Sequence, residues 1–212
     1  MKRYGQRCPV ARTLDVVGDR WSLLIVRELL LGPKRYSDLA DGLPGIGTNV
    51  LAGRLSDLQA AGVIARRTLP PPTPVAVYEL TEAGERLRPV LAELRRWGAS
   101  YAPAAQPEDA ARPGWLLQSA ASLSDAPIRE GVVVELHVDC DVFELIGGPG
   151  SVTVKARPAT TAPTATIRLD GLTFFRLASN QLTPEQAAAA SEIDGDHRDA
   201  LELFGMLGGC AS

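Results

Sequence analysis

Small and polar side chains line one face of a predicted helix that begins at Thr48. On the other face Leu51, Leu55 and Leu58 recur at helical spacing and predict a buried stripe. The first face carries Asn49, Ala52, Gly53, Ser56 and Ala60. Short side chains of this kind let a helix backbone approach another surface closely, and the major groove of DNA is one such surface. An ordinary amphipathic surface helix is the alternative that these residues leave open.

The residues before this helix predict a helix–turn–helix arrangement. A short helix over residues 36–41 and a glycine-rich turn precede Thr48, which can cap the next helix, and Gly62 suits the left-handed end of that helix. Two further helical runs lie between residues 8 and 31, and Asp19 is the predicted N-cap of the second. The helix that carries the small and polar face is therefore the last of four.

A β-hairpin is predicted directly after Gly62. Its strands cover residues 63–69 and 75–80, which gives the arrangement of a wing. Prolines stiffen the tip and remove backbone donors there: Pro70, Pro71, Pro72 and Pro74.

A long helix with an apolar stripe is predicted after the wing. Thr81 opens it, and the stripe continues to about residue 102 through Leu87, Val90, Leu91, Leu94, Trp97 and Tyr101. A stripe of this kind must be buried against a partner surface. A dimer interface and packing against the same domain are both open from the sequence.

Charge is divided unevenly along the chain. Residues 1–104 contain 15 Lys and Arg against 10 Asp and Glu, a net charge of +5, whereas residues 105–212 contain 7 against 15, a net charge of −8. Phosphate contacts need cations, so only the first half suits a polyanion such as DNA.

The composition favours a cytoplasmic protein. No membrane-spanning run or signal peptide is recognisable. The three cysteines, Cys8, Cys140 and Cys210, are widely spaced, which favours a reducing cytosol over a disulfide framework. The two histidines, His137 and His197, lie far from any Cys-x-x-Cys pattern. We therefore expect no metal, no cofactor and no membrane partner.

A set of fixed spacings in the first half resembles a known family. These spacings include Cys8-Pro9, Gly18-Asp19-Arg20-Trp21, Arg35-Tyr36-Ser37-Asp38-Leu39, Leu43-Pro44-Gly45-Ile46, Leu80-Thr81 and Trp97-Gly98. Over about residues 5–102 the chain resembles the HxlR-type winged helix–turn–helix transcription regulators. The resemblance implies a homodimer that binds an inverted-repeat operator in double-stranded DNA.

The resemblance also implies which residues contact DNA. On the exposed face of the reading helix they are Thr48, Asn49 and Ser56; beside it they are Arg35 and Arg54, which would neutralise phosphates; on the first wing strand they are Arg66 and Arg67. Ala52 and Gly53 stand where many relatives carry longer polar side chains, and the wing tip lacks Arg and Lys. A salt bridge from Arg54 to Asp57 or Asp38 is the alternative to a phosphate contact.

Cys8 has two interpretations. Some relatives use a cysteine at this place as a thiol sensor, and the neighbouring Arg7 and Arg12 favour a lowered thiol pKa. The alternative is a small apolar residue near the dimer core.

The second half predicts a separate α+β domain. Residues 103–113 are rich in Pro and Ala and predict a linker between a first domain over 1–102 and a second over 114–212. The predicted strands cover 131–138, 141–146, 151–156 and 165–169, and their spacing favours an antiparallel sheet. Residues 115–123 predict a strand or a short helix, and three helices follow at 172–178, from Thr183, and at 197–207. We expect these helices to cover the sheet.

Two stretches of this domain resemble the sterol-carrier-protein family of lipid-binding domains. They are ATIRLDGLTFFRLASNQLTPEQAAAA and Ile193-Asp194-Gly195-Asp196. The resemblance implies a hydrophobic ligand between sheet and helices, lined by Phe174, Phe175, Leu182, Phe204 and Leu207. A plain core made by these residues, and a polar ligand held by Arg168 or Arg176, are the alternatives.

These features predict a dimeric, sequence-specific DNA-binding transcription regulator, modulated by a hydrophobic small molecule in its C-terminal domain. The alternative is a carrier or scavenger of hydrophobic molecules that uses its N-terminal half for dimerisation. We do not expect an enzyme, because the sequence shows no catalytic triad, phosphate-binding loop or metal-ligand spacing. Asp139, Asp141 and Glu144 fit a solvated strand end instead.

Overall fold

The computed structural model describes residues 3–69, 74–102, 109–124 and 128–208. The chain forms two compact units, Met1–Leu91 and Ala92–Ser212. The division falls inside one helix, α6 (Arg88–Tyr101). The predicted linker at 103–113 lies partly outside the described residues.

The first unit contains the predicted helix–turn–helix and wing. Its elements are α1 (Pro9–Val17), α2 (Ser22–Leu30), α3 (Tyr36–Gly42), α4 (Thr48–Ala60), β1 (Ile64–Thr68), β2 (Ala76–Leu80) and α5 (Glu82–Glu85). Leu51, Leu55 and Leu58 of α4 are buried together with Ile25 and Leu39, as their helical spacing predicts. Gly62 follows α4 with φ of +71°, a left-handed conformation that favours glycine.

The wing has a third backbone partner that the sequence did not indicate. β1 and β2 pair antiparallel, with Arg66 opposite Tyr78. Lys34 lies on the other side of Tyr78: its N–H donates to the Tyr78 carbonyl at 2.9 Å, and the Tyr78 N–H donates to the Lys34 carbonyl at 2.7 Å. The chain entering α3 is therefore attached directly to the wing.

A buried carboxylate lies beside this attachment. Glu28 of α2 has a side chain only 1% exposed and forms ion pairs with Lys34 at 2.8 Å and with Arg27 at 3.0 Å. A buried charge is tolerated only when paired, so Glu28 fixes the position of Lys34 against α2.

The long helix predicted after the wing is interrupted. Thr81 caps α5 by accepting the Gly84 N–H at 3.2 Å, but α5 ends at Glu85 and a new helix, α6 (Arg88–Tyr101), follows a turn. The prediction of one continuous helix was wrong at residues 86–87.

The second unit is an α+β domain. After α6 it contains α7 (Pro113–Leu123), β3 (Val133–Val138), β4 (Asp141–Gly148), β5 (Ser151–Lys155), β6 (Ala165–Leu169), α8 (Gly171–Ala178), α9 (Pro184–Ala189), β7 (Glu192–Gly195) and α10 (His197–Gly208). Residues 115–123 are thus helical. Thr183 caps α9 with Pro184 in its first turn, as predicted, whereas the sequence did not predict β7.

The sheet of this unit is mixed, so the prediction of an antiparallel sheet was wrong in one pairing. The strand order is β5-β4-β3-β6-β7, and β3 pairs with β6 in parallel while the other pairs are antiparallel. The reason is the connection over residues 156–164, which crosses from β5 at one edge of the sheet to the far side of β3. Strand periodicity does not reveal such a crossing.

Two carboxylates hold this crossing segment. Glu144 on β4 accepts the Thr160 N–H and hydroxyl, each at 2.7 Å, and Glu135, its direct partner on β3, accepts the Ala159 N–H at 2.8 Å. Glu144 is fully buried and also pairs with Arg157 at 2.8 Å. The interpretation of Glu144 as part of a solvated strand end was therefore wrong, whereas Asp139 and Asp141 are exposed.

Candidate nucleic-acid interface

The small and polar face of α4 is open to solvent. Asn49, Ala52 and Ser56 are exposed at helical spacing, opposite the buried leucines. Thr48 is also exposed, but it is the first residue of the helix and Gly47 occupies the N-cap position without a side-chain cap. The predicted capping role of Thr48 was therefore wrong, and its hydroxyl lies at the start of the exposed face.

The start of α4 is held by the preceding helix. The Tyr36 hydroxyl of α3 donates to the Thr48 carbonyl at 2.8 Å. This contact fixes the first turn of α4, which contains Asn49, against α3.

Arg35 and Arg66 present charges that the protein does not neutralise. Both are exposed, and neither guanidinium has an ion pair or hydrogen bond with a described residue. The backbone N–H of Arg35 donates to Asp38 Oδ2 at 3.0 Å at the start of α3, so the residue itself is fixed while its side chain is free. Such arginines suit phosphate oxygens.

Arg54 and Arg67 are already paired within the protein. Arg54 Nη1 lies 3.1 Å from Asp57 Oδ2 and 3.5 Å from Asp19 Oδ2, and Arg67 lies 2.8 Å from Glu79 across the wing. For Arg54 the geometry favours the salt bridge to Asp57 and adds Asp19, a partner that the sequence did not indicate, in place of Asp38. Local net charge at these two positions is therefore low.

Asp19 links α4 to the turn before α2. The prediction of Asp19 as the N-cap was wrong, because Trp21 occupies the N-cap position of α2. The Asp19 carboxylate nevertheless accepts the N–H groups of Trp21 at 2.9 Å and Ser22 at 3.2 Å, and it also accepts the Ser22 hydroxyl. Burial acts to raise the pKa of Asp19, but the hydrogen bonds from Ser22 and Trp21 and the charge of Arg54 outweigh it, so the pKa is lowered.

The described part of the wing does not include its tip. Pro70, Pro71 and Pro72 lie outside the described residues, and Pro74 is exposed at the start of the returning segment. The prediction of a stiff, proline-rich tip therefore stays a prediction.

Cys8 lies at the N-cap position of α1 and is exposed. Its pKa is lowered by hydrogen bonding from the backbone N–H groups of Ala11 and Val10, as occurs for thiolates at helix N-termini. The physical cause is thus the helix start, whereas the sequence interpretation named Arg7 and Arg12.

The apolar stripe of α6 is largely exposed in the single chain. Trp97 is 60% exposed and Tyr101 74% exposed, their ring centroids lie 5.9 Å apart, and Val90 and Leu94 on the same face are also exposed. Leu91, in contrast, is buried. Packing of α6 within the chain therefore covers Leu91 and leaves the wider stripe available to a partner.

The residues predicted to line a ligand site in the second unit lie in different surroundings. Phe174, Phe204 and Leu207 are fully buried in the core, Phe175 is half-buried, and Leu182 lines a surface groove of about 420 Å³. Gln186, Gly205 and Gly208 line the same groove.

The described residues contain no helix with the length and apolar character needed to cross a membrane. They also contain no group of three or more His, Cys, Asp or Glu side chains arranged to hold a metal ion.

Comparisons with known proteins show similarity to one family in the first half of the chain. The model of the HxlR-like helix-turn-helix family matches residues 16–106. The uncharacterized HTH-type transcriptional regulator sll1512 of Synechocystis sp. is 36% identical over 97 residues, which are 46% of this chain and 72% of the relative. The uncharacterized HTH-type transcriptional regulator YkvN of Bacillus subtilis is 37% identical over 102 residues, 48% of this chain and 85% of the relative.

A solved structure, the reduced form of the transcriptional regulator YodB from B. subtilis, is 31% identical, with 49% of this chain and all of that chain covered and a TM-score of 0.41. The sequence identity and the coverage of the relatives, together with the family match, lead to one assignment. The chain belongs to the HxlR-like helix-turn-helix family of transcriptional regulators.

Proposed function

We propose that the protein is a dimeric, sequence-specific DNA-binding regulator that inserts α4 into the major groove of its operator. The observation that carries this proposal is the exposed face of α4, with Asn49 and Ser56 at its centre and the unpaired charges of Arg35 and Arg66 in the same unit. Asn and Ser side chains hydrogen-bond to base edges, and arginines contact phosphates.

The expected roles of the seven proposed DNA-contacting residues depend on whether their side chains are already paired within the protein. Thr48, Asn49 and Ser56 offer uncommitted polar groups to bases, whereas Arg35 and Arg66 offer charge to the backbone. Arg54 and Arg67 must exchange an ion pair for a phosphate contact, so their contribution is smaller. Because Ala52 and Gly53 add no polar contact, substitution of Asn49 should relax sequence preference only modestly.

The proposed dimer uses the exposed stripe of α6. Two copies related by a two-fold axis would bury Trp97 and Tyr101 against each other and place two α4 helices on half-sites about 34 Å apart, one turn of DNA. An inverted-repeat operator follows from this symmetry.

The C-terminal unit is the proposed sensor of a hydrophobic molecule. Because Phe174, Phe204 and Leu207 are packed in the core, the groove beside Leu182 is the place where such a molecule would first contact the domain. A ligand that binds one conformer better would shift the spacing of the two α4 helices and thereby operator affinity. A sterol-carrier-like domain is the corresponding structural proposal.

Fluorescence anisotropy with a labelled fragment from upstream of the protein's own gene tests the DNA-binding proposal. Arg35→Ala should weaken binding and make the dependence of log affinity on log salt shallower by about one. Arg86→Ala is the matched control, because Arg86 is an exposed arginine of the same unit that is paired with Glu82. Equal effects of the two substitutions would contradict the proposed interface.

A further inference from the structure

The first unit contains a cavity of about 510 Å³ beside α4. The N-terminal residues Arg3 and Tyr4, the end of α1 with Leu14 and Val16, and Arg54 of α4 contribute to its wall. The Tyr4 N–H donates to Asp15 Oδ1 at 2.8 Å, which holds the N-terminal segment against α1. Cavities of roughly 300–1,000 Å³ are the size that small-molecule sites use.

The acidic groups in the wall are already satisfied by the protein. Asp19 accepts hydrogen bonds from Trp21, Ser22 and Arg54, and Asp15 accepts the Tyr4 N–H. Both oxygens of Asp19 are therefore engaged, and Asp15 is engaged through Oδ1.

The basic groups in the wall retain free donors. Arg54 contacts both of its acidic partners through Nη1, and its Nε and Nη2 have no hydrogen bond to a described residue. Arg3 is exposed and has no ion pair within the described ranges. A guanidinium fork binds a carboxylate through two parallel hydrogen bonds, so these donors match a carboxylate ligand.

The rest of the wall is apolar or aromatic. Tyr4, Leu14 and Val16 supply a surface that suits a ring or a short aliphatic chain. We propose that this cavity binds a small aromatic carboxylate, with its carboxylate on Arg3 and Arg54 and its ring against Tyr4 and Leu14.

Such a ligand would act on α4 through Arg54. The same side chain holds α4 to Asp19, so a carboxylate bound to Arg54 competes with that ion pair and changes how α4 is held. This regulatory step rests on the proposed DNA-binding function, whereas the binding step does not. It also places an effector in the first unit, separate from the ligand proposed for the C-terminal unit.

Isothermal titration calorimetry on the full chain without DNA tests the site. The probes are benzoate and benzamide, which share size and ring but differ in charge, at matched ionic strength. Benzoate should bind saturably and at least about tenfold more tightly than benzamide. Equal affinities for the two probes would overturn the proposal. The absence of saturable benzoate binding would also overturn it, whether a second protomer fills the cavity or nothing binds there.

Three variants locate the bound probe. Arg3→Gln should weaken benzoate binding about tenfold without a change in melting temperature, because Arg3 is exposed and unpaired in the described structure. Arg54→Lys keeps a positive charge near Asp19 but loses the guanidinium fork. Leu14→Trp fills the cavity while both arginines remain. Unchanged benzoate affinity in Arg3→Gln and Leu14→Trp would place the probe elsewhere and overturn the site.

Operator affinity with and without saturating benzoate then tests the coupling. A change of about threefold or more in wild type that is absent in Arg3→Gln supports it. An unchanged operator affinity overturns the coupling alone. If the chain binds no operator under any condition, the proposed function fails, while calorimetry still decides whether the site exists.

Discussion

Arg54 and Asp19 connect α4 to the turn before α2 across 35 positions of sequence, with Arg54 Nη1 at 3.5 Å from Asp19 Oδ2. The same carboxylate accepts the backbone N–H groups of Trp21 and Ser22 at the start of α2. One side chain thus serves both the start of α2 and the fixing of the candidate reading helix.

Asp19→Asn should lower stability in a pH-dependent way. The folded pKa of Asp19 is lowered, because the bonds from Ser22 and Trp21 and the charge of Arg54 outweigh the effect of burial. A carboxyl of this kind adds stability above its unfolded pKa, about 3.9, and loses that contribution as the pH falls through the folded pKa. Urea unfolding should show wild type more stable than Asp19→Asn at pH 7 and a convergence in acid. A constant difference at every pH would contradict the assignment to charge.

Arg66→Ala and Arg67→Ala should differ in their effect on DNA binding. They are neighbours on β1, but Arg67 is paired with Glu79 and Arg66 has no partner in the described chain. Arg66→Ala should reduce the salt dependence of operator binding by about one counterion, and Arg67→Ala by less. Anisotropy titrations over a range of salt concentrations measure both. The opposite order would show that the ion pair with Glu79 opens on DNA.

Trp97→Asp should convert the proposed dimer to monomer. Trp97 is 60% exposed on the α6 stripe, and a buried carboxylate without a partner opposes association. Sedimentation velocity should show the dissociation constant raised by about thirtyfold or more. Ala99→Asp adds the same charge to an exposed position of α6 away from the stripe and should leave the dimer intact. Equal dissociation in both variants would indicate a general charge effect.

Glu144→Ala should destabilise the second unit by about 3 kcal/mol, because it leaves the Thr160 N–H and hydroxyl without their buried acceptor. Glu144→Gln retains an acceptor and should cost less. Chemical denaturation followed by circular dichroism measures both. Glu130→Ala, at an exposed acid of the same unit, serves as the control. An equal loss of stability in Glu130→Ala would contradict the role of Glu144 in holding residues 156–164.

Cys8 should react with iodoacetamide at a lower pH than an ordinary thiol, because backbone N–H groups at the start of α1 lower its pKa. Rates measured against pH in a Cys140→Ser/Cys210→Ser protein report on Cys8 alone. Operator binding before and after alkylation then tests the proposed sensor role. A reaction midpoint at or above that of a free thiol would contradict the helix-start explanation.

The local elements were predictable because their signals are local. The spacing of Leu51, Leu55 and Leu58 defines the buried side of α4, and Thr183 with Pro184 opens α9. Each of these relations spans a few residues, the range over which periodicity and capping act.

The sequence by itself determined the helix–turn–helix, the wing, the family resemblance and the exposed face of α4. Only the tertiary structure decided which arginines are ion-paired within the protein, since Arg67 pairs with Glu79, 12 positions away, and Arg54 pairs with Asp19, 35 positions away, as well as with the nearby Asp57. It also decided that β6 pairs parallel to β3, and that Glu144 is buried beneath the segment that makes this crossing. Pairing between distant residues depends on how the chain closes in space, and side-chain period carries no information about that closure.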